Sequence, residues 1–96
     1  MARASRVKVV WRAAALRDFE AITARIARDS PRASEAFGEE VLRRVGQLAE
    51  FPFLGPAPRR PDVRELLLAT APYVIVYRVR DEAVRIVRIM HGRRRR

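Results

Sequence analysis

The sequence predicts a two-layer α+β domain in which a hairpin of two helices packs on one face of a small, mainly antiparallel sheet. Apolar residues alternate with period two near the start of the chain and in its last third, and they recur at steps of three and four between residues 13 and 50. Turn-forming residues separate these segments and set the order β-α-α-β-β-β. The 96 residues make one domain, assigned to 1–96 with flexible ends at 1–5 and 93–96.

The first strand and the first helix follow from the apolar pattern near the start of the chain. An extended segment places Val7, Val9 and Trp11 on one face, which predicts a short strand. A helix is predicted over Ala13–Arg28. Its apolar stripe consists of Leu16, Phe19, Ile22 or Thr23, and Ile26. Arg12 stands where a capping Ser or Thr would be expected, so this helix is predicted to begin without a side-chain cap.

The second helix has a clear start signal. Ser30 can cap its first turn, and Pro31 suits the first position because no backbone N–H is needed there. The predicted apolar stripe consists of Ala33, Phe37, Val41, Val45 and Leu48. Glu40 and Arg44 are spaced to form an i,i+4 pair on the solvent side. The prolines between residues 51 and 58 then predict a loop.

Three strands are predicted over Val63–Ala69, Tyr73–Arg80 and Ala83–His91, the last two joined by a tight turn. In the middle strand, the face toward the helices consists of Tyr73, Ile75, Tyr77 and Val79, with the tyrosine hydroxyls in solvent. The other face consists of Val74, Val76, Arg78 and Arg80. In the last strand, Arg88 falls on the core face unless a bulge shifts the register or the side chain is paired, so this register stays open.

Composition narrows the function classes. The net charge is +10, and 20 of the 21 basic residues are Arg, so we expect an acidic or polyanionic partner. The chain has no cysteine and one histidine, which excludes disulfides and a multi-histidine metal centre. No apolar stretch is long enough to span a bilayer. We therefore expect a cytoplasmic protein without a cofactor, a metal or a membrane.

The most specific segments lie in the last third of the chain. Pro72–Arg78 (PYVIVYR) and Met90–Arg94 (MHGRR) follow a proline- and glycine-containing loop and the strand start Val63–Leu66 (VREL). In this order the segments resemble the ParE/RelE superfamily of bacterial toxins, which are the toxin partners in type II toxin–antitoxin operons. The resemblance extends from Val9 to Arg94 and implies the same β-α-α-β-β-β fold.

The resemblance also implies two alternative activities. RelE-like members cleave mRNA in the ribosome, and ParE-like members inhibit DNA gyrase without being known hydrolases. RelE-like members commonly carry Arg directly after the Tyr that opens the middle strand, where this chain has Val74. They also use lysines on the preceding strand, where only Arg64 is basic here, and often a C-terminal Tyr, which this sequence lacks. The chain is therefore more similar to the ParE-like members.

This resemblance implies a toxin that inhibits DNA gyrase by binding rather than by catalysis. A cognate acidic antitoxin, similar to ParD or RelB, would neutralise it in a hetero-oligomer. A RelE-like, ribosome-dependent mRNA endonuclease is one alternative. A non-toxic, basic nucleic-acid-binding domain is the other.

The candidate site residues are basic and lie late in the chain. His91 is the only side chain whose unperturbed pKa, ~6.5, suits acid–base catalysis near neutrality, but a lone histidine at a strand end more often has a structural role. The resemblance assigns target binding to His91, Arg93 and Arg94. Arg78 and Arg80 are candidates for binding the antitoxin or the target, and so is Arg64, whose alternative role is ordinary pairing at the start of its strand. No metal-ligating residues are predicted.

Overall fold

The computed structural model describes residues 6–56, 63–69 and 72–92. The elements are β1 (Lys8–Trp11), α1 (Ala13–Asp29), α2 (Pro31–Glu50), β2 (Arg64–Leu67), β3 (Tyr73–Arg80) and β4 (Ala83–His91). The predicted fold class and element order are confirmed. The predicted bounds of β3 and β4 are also correct, whereas β1 and β2 are shorter at their ends than predicted.

The four strands form one sheet in the order β1-β4-β3-β2. The strands β2, β3 and β4 form an antiparallel meander, and β1 pairs in parallel with the first half of β4. A parallel pair cannot be joined by a tight turn, and here the two helices, β2 and β3 lie between its strands in the chain. Neither described helix carries a stretch apolar and long enough to cross a membrane.

The core lies between the helical hairpin and one face of the sheet. A row of edge-to-face and stacked rings crosses it from β1 to β4. Its consecutive centroid distances are 5.8 Å from Trp11 to Phe19, 6.2 Å from Phe19 to Phe37, 5.5 Å from Phe37 to Tyr73 and 5.4 Å from Tyr73 to His91. Such ring pairs stabilise the fold beyond the burial of their apolar area, so this row joins both helices to β1, β3 and β4.

As predicted, no side chain caps the start of the first helix. The backbone N–H of Arg12, the residue before the helix, donates a hydrogen bond to the Ile86 carbonyl of β4. The predicted stripe is wrong at Leu16, which is 45% exposed, whereas Ala15 is fully buried. Asp18 lies on the same helical row as Ala15 and contacts the backbone of β4. Because Ala15 and Asp18 face the sheet, the neighbouring Leu16 points toward solvent.

The second helix starts as predicted, with the Ser30 hydroxyl accepting a hydrogen bond from the Ala33 backbone N–H at 3.1 Å. Its predicted stripe is buried except at Ala33, which lies exposed in the first turn. The predicted solvent-side position of Glu40 is wrong. Its side chain is buried beside Val41 and accepts a hydrogen bond from the Ala69 backbone N–H at 2.5 Å. A buried carboxylate needs such a donor, and the donor is a backbone group that no helical pattern reveals.

The sequence left open whether a bulge shifts the register of β4 or the Arg88 side chain is paired, and the structure shows both. Val76 pairs with Arg88 and Tyr77 pairs with Ile86, so Val87 is the extra residue of a β-bulge. The bulge moves Arg88 off the core face and returns Ile89 to it, where Ile89 is 3% exposed. Arg88 is also paired, because its guanidinium contacts both carboxylate oxygens of Asp18 at 2.6 and 2.9 Å.

Candidate functional site

The sheet face that points away from the helices is the surface on which the candidate residues can be compared. We call it the open face, and it consists of Lys8, Val10, Glu65, Leu67, Val74, Val76, Arg78, Arg80, Ala83, Arg85, Arg88 and Met90. None of these side chains belongs to the core that packs on the helices. The strand register divides the open face into an apolar half near the start of β3 and a basic half near the β3–β4 turn.

The apolar half is built from aliphatic side chains on three adjacent strands. Val74 pairs with Leu67 on β2 and with Met90 on β4. Val74 is fully buried and Val76 is 8% exposed, whereas Leu67 is 59% exposed. Val74 and Val76 therefore offer little surface to a partner, and the exposed apolar side chain of this half is Leu67.

The basic half contains an unusual cross-strand pair. Arg78 on β3 lies directly opposite Arg85 on β4, and like charges at directly opposed positions destabilise a sheet. The Nε of Arg78 is shielded from solvent and has no acceptor among the described residues. Arg85 lies 3.9 Å from the Asp81 carboxylate, whose side chain is 79% exposed, so this ion pair is weak. The two guanidinium groups therefore concentrate positive charge at this end of the open face.

The turn beside this pair is itself strained. Asp81 and Glu82 have φ angles of 55° and 58°, in the left-handed region that two-residue hairpin turns require and that glycine and asparagine adopt most easily. The chain places two carboxylates there instead. The two carboxylates lower the net positive charge next to Arg80 and Arg85, although the backbone of both residues is strained.

Arg64 lies on the other face of the sheet, separate from Arg78. It pairs in register with Tyr77, and its guanidinium donates to the carbonyls of Gly55 and Pro56 at 2.8 and 3.2 Å. It also lies 4.9 Å from the centre of the Phe53 ring. The predicted pairing role at the strand start thus takes a specific form, in which Arg64 fastens the loop after α2 to the sheet.

The same loop is fixed by a buried tyrosine hydroxyl. The Gly55 backbone N–H donates to the Tyr77 hydroxyl at 2.9 Å, so the predicted exposure of this hydroxyl to solvent is wrong. A side chain at Gly55 would lie 2.9 Å from that oxygen, which is why glycine fits there. Burial is the largest influence on the hydroxyl and raises the pKa of Tyr77 above its ordinary value.

His91 lies at the end of β4, opposite Tyr73, and its ring meets the Tyr73 ring edge to face. The Tyr73 hydroxyl, also predicted to be in solvent, accepts a hydrogen bond from the Arg25 guanidinium of α1. Histidine, tyrosine and arginine thus meet at this end of the helix-facing side. The structure does not bring His91 together with Arg78 and Arg80, which lie on the open face toward the other end of β3. Arg93 and Arg94 lie outside the described residues.

The Asp18 carboxylate of α1 is held by several groups of β4. Besides Arg88, it accepts the backbone N–H of Ile89 at 2.9 Å, at the edge of β4 beyond the last residue that pairs with β1. Burial alone would raise the pKa of Asp18, but the hydrogen bonds from Arg88 and Ile89 and the charge of Arg88 outweigh it and lower that pKa below its ordinary value. The carboxylate therefore substitutes for the missing strand neighbour.

A groove of about 520 Å³ opens at the turn end of the sheet, between Val7, Pro52, Phe53 and Val79, with Arg6, Lys8 and Arg80 among its other lining residues. The described part of the chain contains no group of three His, Cys, Asp or Glu side chains that could hold a metal ion.

The sequence missed Arg25, Asp18 and Arg85 as site residues. Asp18 and Arg25 lie on a helix with other charged residues, and nothing in their spacing distinguishes them. Arg85 had a usable signal: with a two-residue turn after Arg80, counting back along the hairpin places Arg85 opposite Arg78.

Comparison with known proteins identifies the family. The family model described as the ParE toxin of the type II toxin–antitoxin system parDE matches residues 9–96. The chain is 38% identical over 88 residues to the Sinorhizobium fredii protein Y4kP, a toxin by name, covering 92% of this chain and 91% of that protein. It is 39% identical over 87 residues to toxin RelE2 of Caulobacter vibrioides, covering 91% of this chain and 97% of that protein.

Solved structures show the same fold. A chain of the chromosomal ParDE toxin–antitoxin system from P. aeruginosa aligns with a TM-score of 0.76 at 23% identity, over 88% of this chain and 95% of that chain. A chain of the toxin–antitoxin complex RelBE2 from Mycobacterium tuberculosis aligns with a TM-score of 0.60 at 24% identity, over 90% and 98%. The protein therefore belongs to the ParE toxin family of type II toxin–antitoxin systems.

Proposed function

We propose that this ParE-family toxin inhibits DNA gyrase by binding to it and cleaves no bond. The observation that supports this most directly is the position of Val74. RelE-like ribonucleases commonly carry Arg at this position, and here it is a fully buried valine between Leu67 and Met90. An RNase needs cations and proton-transfer groups around the phosphate, and an aliphatic surface supplies neither.

The partner in the cell is a cognate acidic antitoxin, similar to ParD or RelB, in a hetero-oligomer. Two features support this part of the proposal. The chain carries a net charge of +10, and the two solved structures compared above come from systems named as toxin–antitoxin pairs. An acidic segment that folds onto the toxin would be steered to it electrostatically, so its association should be fast and salt-sensitive.

The residues that contact gyrase in this proposal are His91, Arg93 and Arg94, with Arg80 as a further candidate. Arg64 is a positioning residue, because its guanidinium fastens the loop after α2. Truncation after Gly92 tests the target assignment, since it removes four arginines and no residue of the described core. We expect stability to change by less than about 0.5 kcal/mol and gyrase inhibition to fall. Equal inhibition by both proteins would move the gyrase-binding surface elsewhere.

A ribosome-dependent mRNA endonuclease is the second candidate function. Two observations favour it: a relative at 39% identity carries the name RelE2, and Tyr73, Arg25 and His91 meet at one end of the sheet. These side chains include an imidazole and a cation, which are groups that can serve in phosphodiester cleavage. They lie on the helix-facing side, however, and Tyr73 itself is 7% exposed.

The decisive experiment measures both activities with one preparation. Purified protein is added to a gyrase supercoiling assay and, separately, to a translation extract whose mRNA is mapped by primer extension. We expect loss of supercoiling and no new 5′ ends. Codon-phased cuts would assign the RelE-like activity instead, and inactivity in both assays without growth inhibition would favour the non-toxic alternative.

A further inference from the structure

We propose that Arg25 binds a phosphate of duplex DNA, and that the Tyr73 hydroxyl holds its guanidinium in place at the end of the sheet where His91 lies. The proposal rests on the proposed function in one respect, because the DNA is taken to be the DNA on which gyrase acts. It adds a class of ligand, a contact residue on α1 and a positioning residue on β3.

The first argument is that the Tyr73 hydroxyl has a fixed position. The Tyr73 ring is 7% exposed and lies edge to face against the rings of Phe37 and His91, at centroid distances of 5.5 and 5.4 Å. The end of the β3–β4 pair is also closed, because the Gly92 backbone N–H donates to the Pro72 carbonyl at 2.7 Å. A hydroxyl on a ring held in this way fixes the side chain that donates to it.

The second argument concerns the guanidinium that donates to this hydroxyl. Arg25 is an exposed residue of α1, and its bond to Tyr73 joins the helix to the first residue of β3. A guanidinium carries five N–H donors in a rigid plane, so one bond leaves most of them for a ligand. A long side chain also loses rotamer freedom when it binds, and the bond to Tyr73 removes part of that loss beforehand. Arg25 is thus preorganised to bind an anion.

The carboxylates near Arg25 leave its charge largely uncompensated. None of the described ion pairs involves Arg25. Asp18, about two turns earlier on α1, is engaged by Arg88, and Glu40 of α2 is buried and accepts a backbone N–H just after β2. Asp29 lies one turn later on α1, where it is exposed and solvent weakens its effect on the arginine.

The surroundings favour duplex DNA over a single carboxylate or a single strand. Four arginines follow His91 and Gly92 in the sequence, and residues 83–96 contain six arginines and no Asp or Glu. Duplex DNA carries one charge about every 1.7 Å along its axis, so it can engage cations of α1 and of the chain end together. A single strand is usually held by stacking its bases on exposed rings, and the Tyr73 ring is too buried for that contact.

The two roles predict different effects of salt on DNA binding. Arg25→Gln removes one phosphate contact, so the slope of the logarithm of the binding constant against the logarithm of salt concentration should become shallower by about 0.9. Tyr73→Phe keeps the charge of Arg25 and frees its side chain. Its affinity should therefore fall about two- to tenfold with the slope unchanged. A purely structural role for either residue would change the unfolding temperature and would not give this pattern.

The test measures binding of the full-length toxin to a short labelled DNA duplex by fluorescence anisotropy at several salt concentrations. Arg43→Gln is the control for charge, because it removes an arginine from an exposed position on α2 and should leave the slope unchanged. Ser34→Ala is the control for the lost hydroxyl. The Ser34 hydroxyl donates to the Thr23 carbonyl of α1 at 2.7 Å, away from the sheet, so its removal should not affect DNA binding.

Two further measurements use the same variants. Thermal unfolding shows whether each variant is folded, and only folded variants enter the comparison. A gyrase supercoiling assay shows whether the DNA contact contributes to inhibition, and we expect Arg25→Gln to inhibit less than wild type and Arg43→Gln to inhibit equally. An RNA duplex of the same sequence is titrated alongside the DNA, and the proposal requires the effect of Arg25→Gln to appear with DNA.

Each contrary outcome identifies the part that fails. Equal slopes for wild type and Arg25→Gln, or no DNA binding by wild type, would overturn the phosphate contact. If Arg25→Gln then still inhibited gyrase less, Arg25 would contact the gyrase protein instead, and the proposed function would stand. Wild-type affinity of Tyr73→Phe would overturn the positioning role, and an effect confined to RNA would overturn the choice of DNA. The predicted slopes without any loss of supercoiling would support the site and overturn the gyrase assignment.

Discussion

On the helix-facing side of the sheet, the chain supplies an acceptor for each arginine whose contacts are described above. Arg64 donates to two loop carbonyls, and Arg25 donates to the Tyr73 hydroxyl. On the open face, Arg78 lies opposite another arginine and its Nε has no described acceptor. The same residue type is therefore fixed in place where the fold provides an acceptor and left unfixed where it does not. The distinction does not follow the face alone, because Arg88 lies opposite Val76, away from the core, and still donates to Asp18.

The prediction with the largest expected effect compares an aliphatic residue of the core with an aliphatic residue on the open face. Ile86 is fully buried on the helix-facing side, and Leu67 is 59% exposed on the open face. We expect Ile86→Ala to lower the free energy of unfolding by about 2–5 kcal/mol and Leu67→Ala to change it by less than about 0.5 kcal/mol. Urea denaturation followed by circular dichroism measures both. Similar losses from the two variants would mean that the open face is part of the folding core.

A second test concerns the loop that Arg64 and Tyr77 hold. Gly55→Ala would place a methyl group 2.9 Å from the Tyr77 hydroxyl and 3.0 Å from the Glu65 carbonyl, so the loop must move. We expect a loss of about 1–3 kcal/mol, as for other overpacked sites. Tyr77→Phe keeps the ring but leaves the Gly55 N–H without its acceptor, and it should cost about 1–2 kcal/mol. Gly46→Ala, at a helical position with open space, is the control and should not destabilise.

A third test uses pH at the edge of β4. The pKa of Asp18 is lowered in the folded protein, so its stabilising effect is complete above the unfolded value of about 3.9 and is lost as pH falls through the lower folded value. Asp18→Asn should therefore cost about 1–2 kcal/mol at neutral pH, a discounted value because half of the Arg88 side chain is exposed. The difference between wild type and variant should shrink as pH falls below about 4. A constant difference across this range would show that packing, and not charge, is responsible.

Much of the fold could be predicted from the sequence, because the spacing of apolar residues and the residues that form turns and caps act over short stretches of the chain. The spacing of apolar residues fixed the element order, Ser30 and Pro31 marked the start of α2, and alternation along β3 separated its two faces. The failures came where one distant group decided the outcome. Glu40 looked like a surface residue, since its partner is a backbone N–H at the end of β2. Asp18 was missed because its partners lie 70 and 71 residues away.

For the candidate site residues, too, the sequence predicted the strand and the face but not the contacts. Alternation placed Arg78 and Arg80 on the face away from the helices. It also placed Arg64 on a strand, but it could not show that Gly55 and Pro56 would supply acceptors for it. The bulge at Val87 was a possibility in the sequence and became definite only with the pairing of Val76 and Arg88. Register and long-range acceptors, which local patterns do not encode, thus decide which arginine remains available.

The smallest expected effect concerns the strained turn beside the basic half. Glu82 has a φ of 58°, and the left-handed conformation costs a residue with a side chain roughly 1 kcal/mol relative to glycine. Glu82→Gly should therefore raise the free energy of unfolding by up to about 1 kcal/mol, measured by urea denaturation. It also removes a negative charge near Arg80 and Arg85, so association with an acidic partner should become slightly faster at low salt. Glu82→Gln removes the charge and keeps the strain, and should change only the association rate. If Glu82→Gly were less stable than wild type, the turn would owe its stability to contacts of the Glu82 side chain.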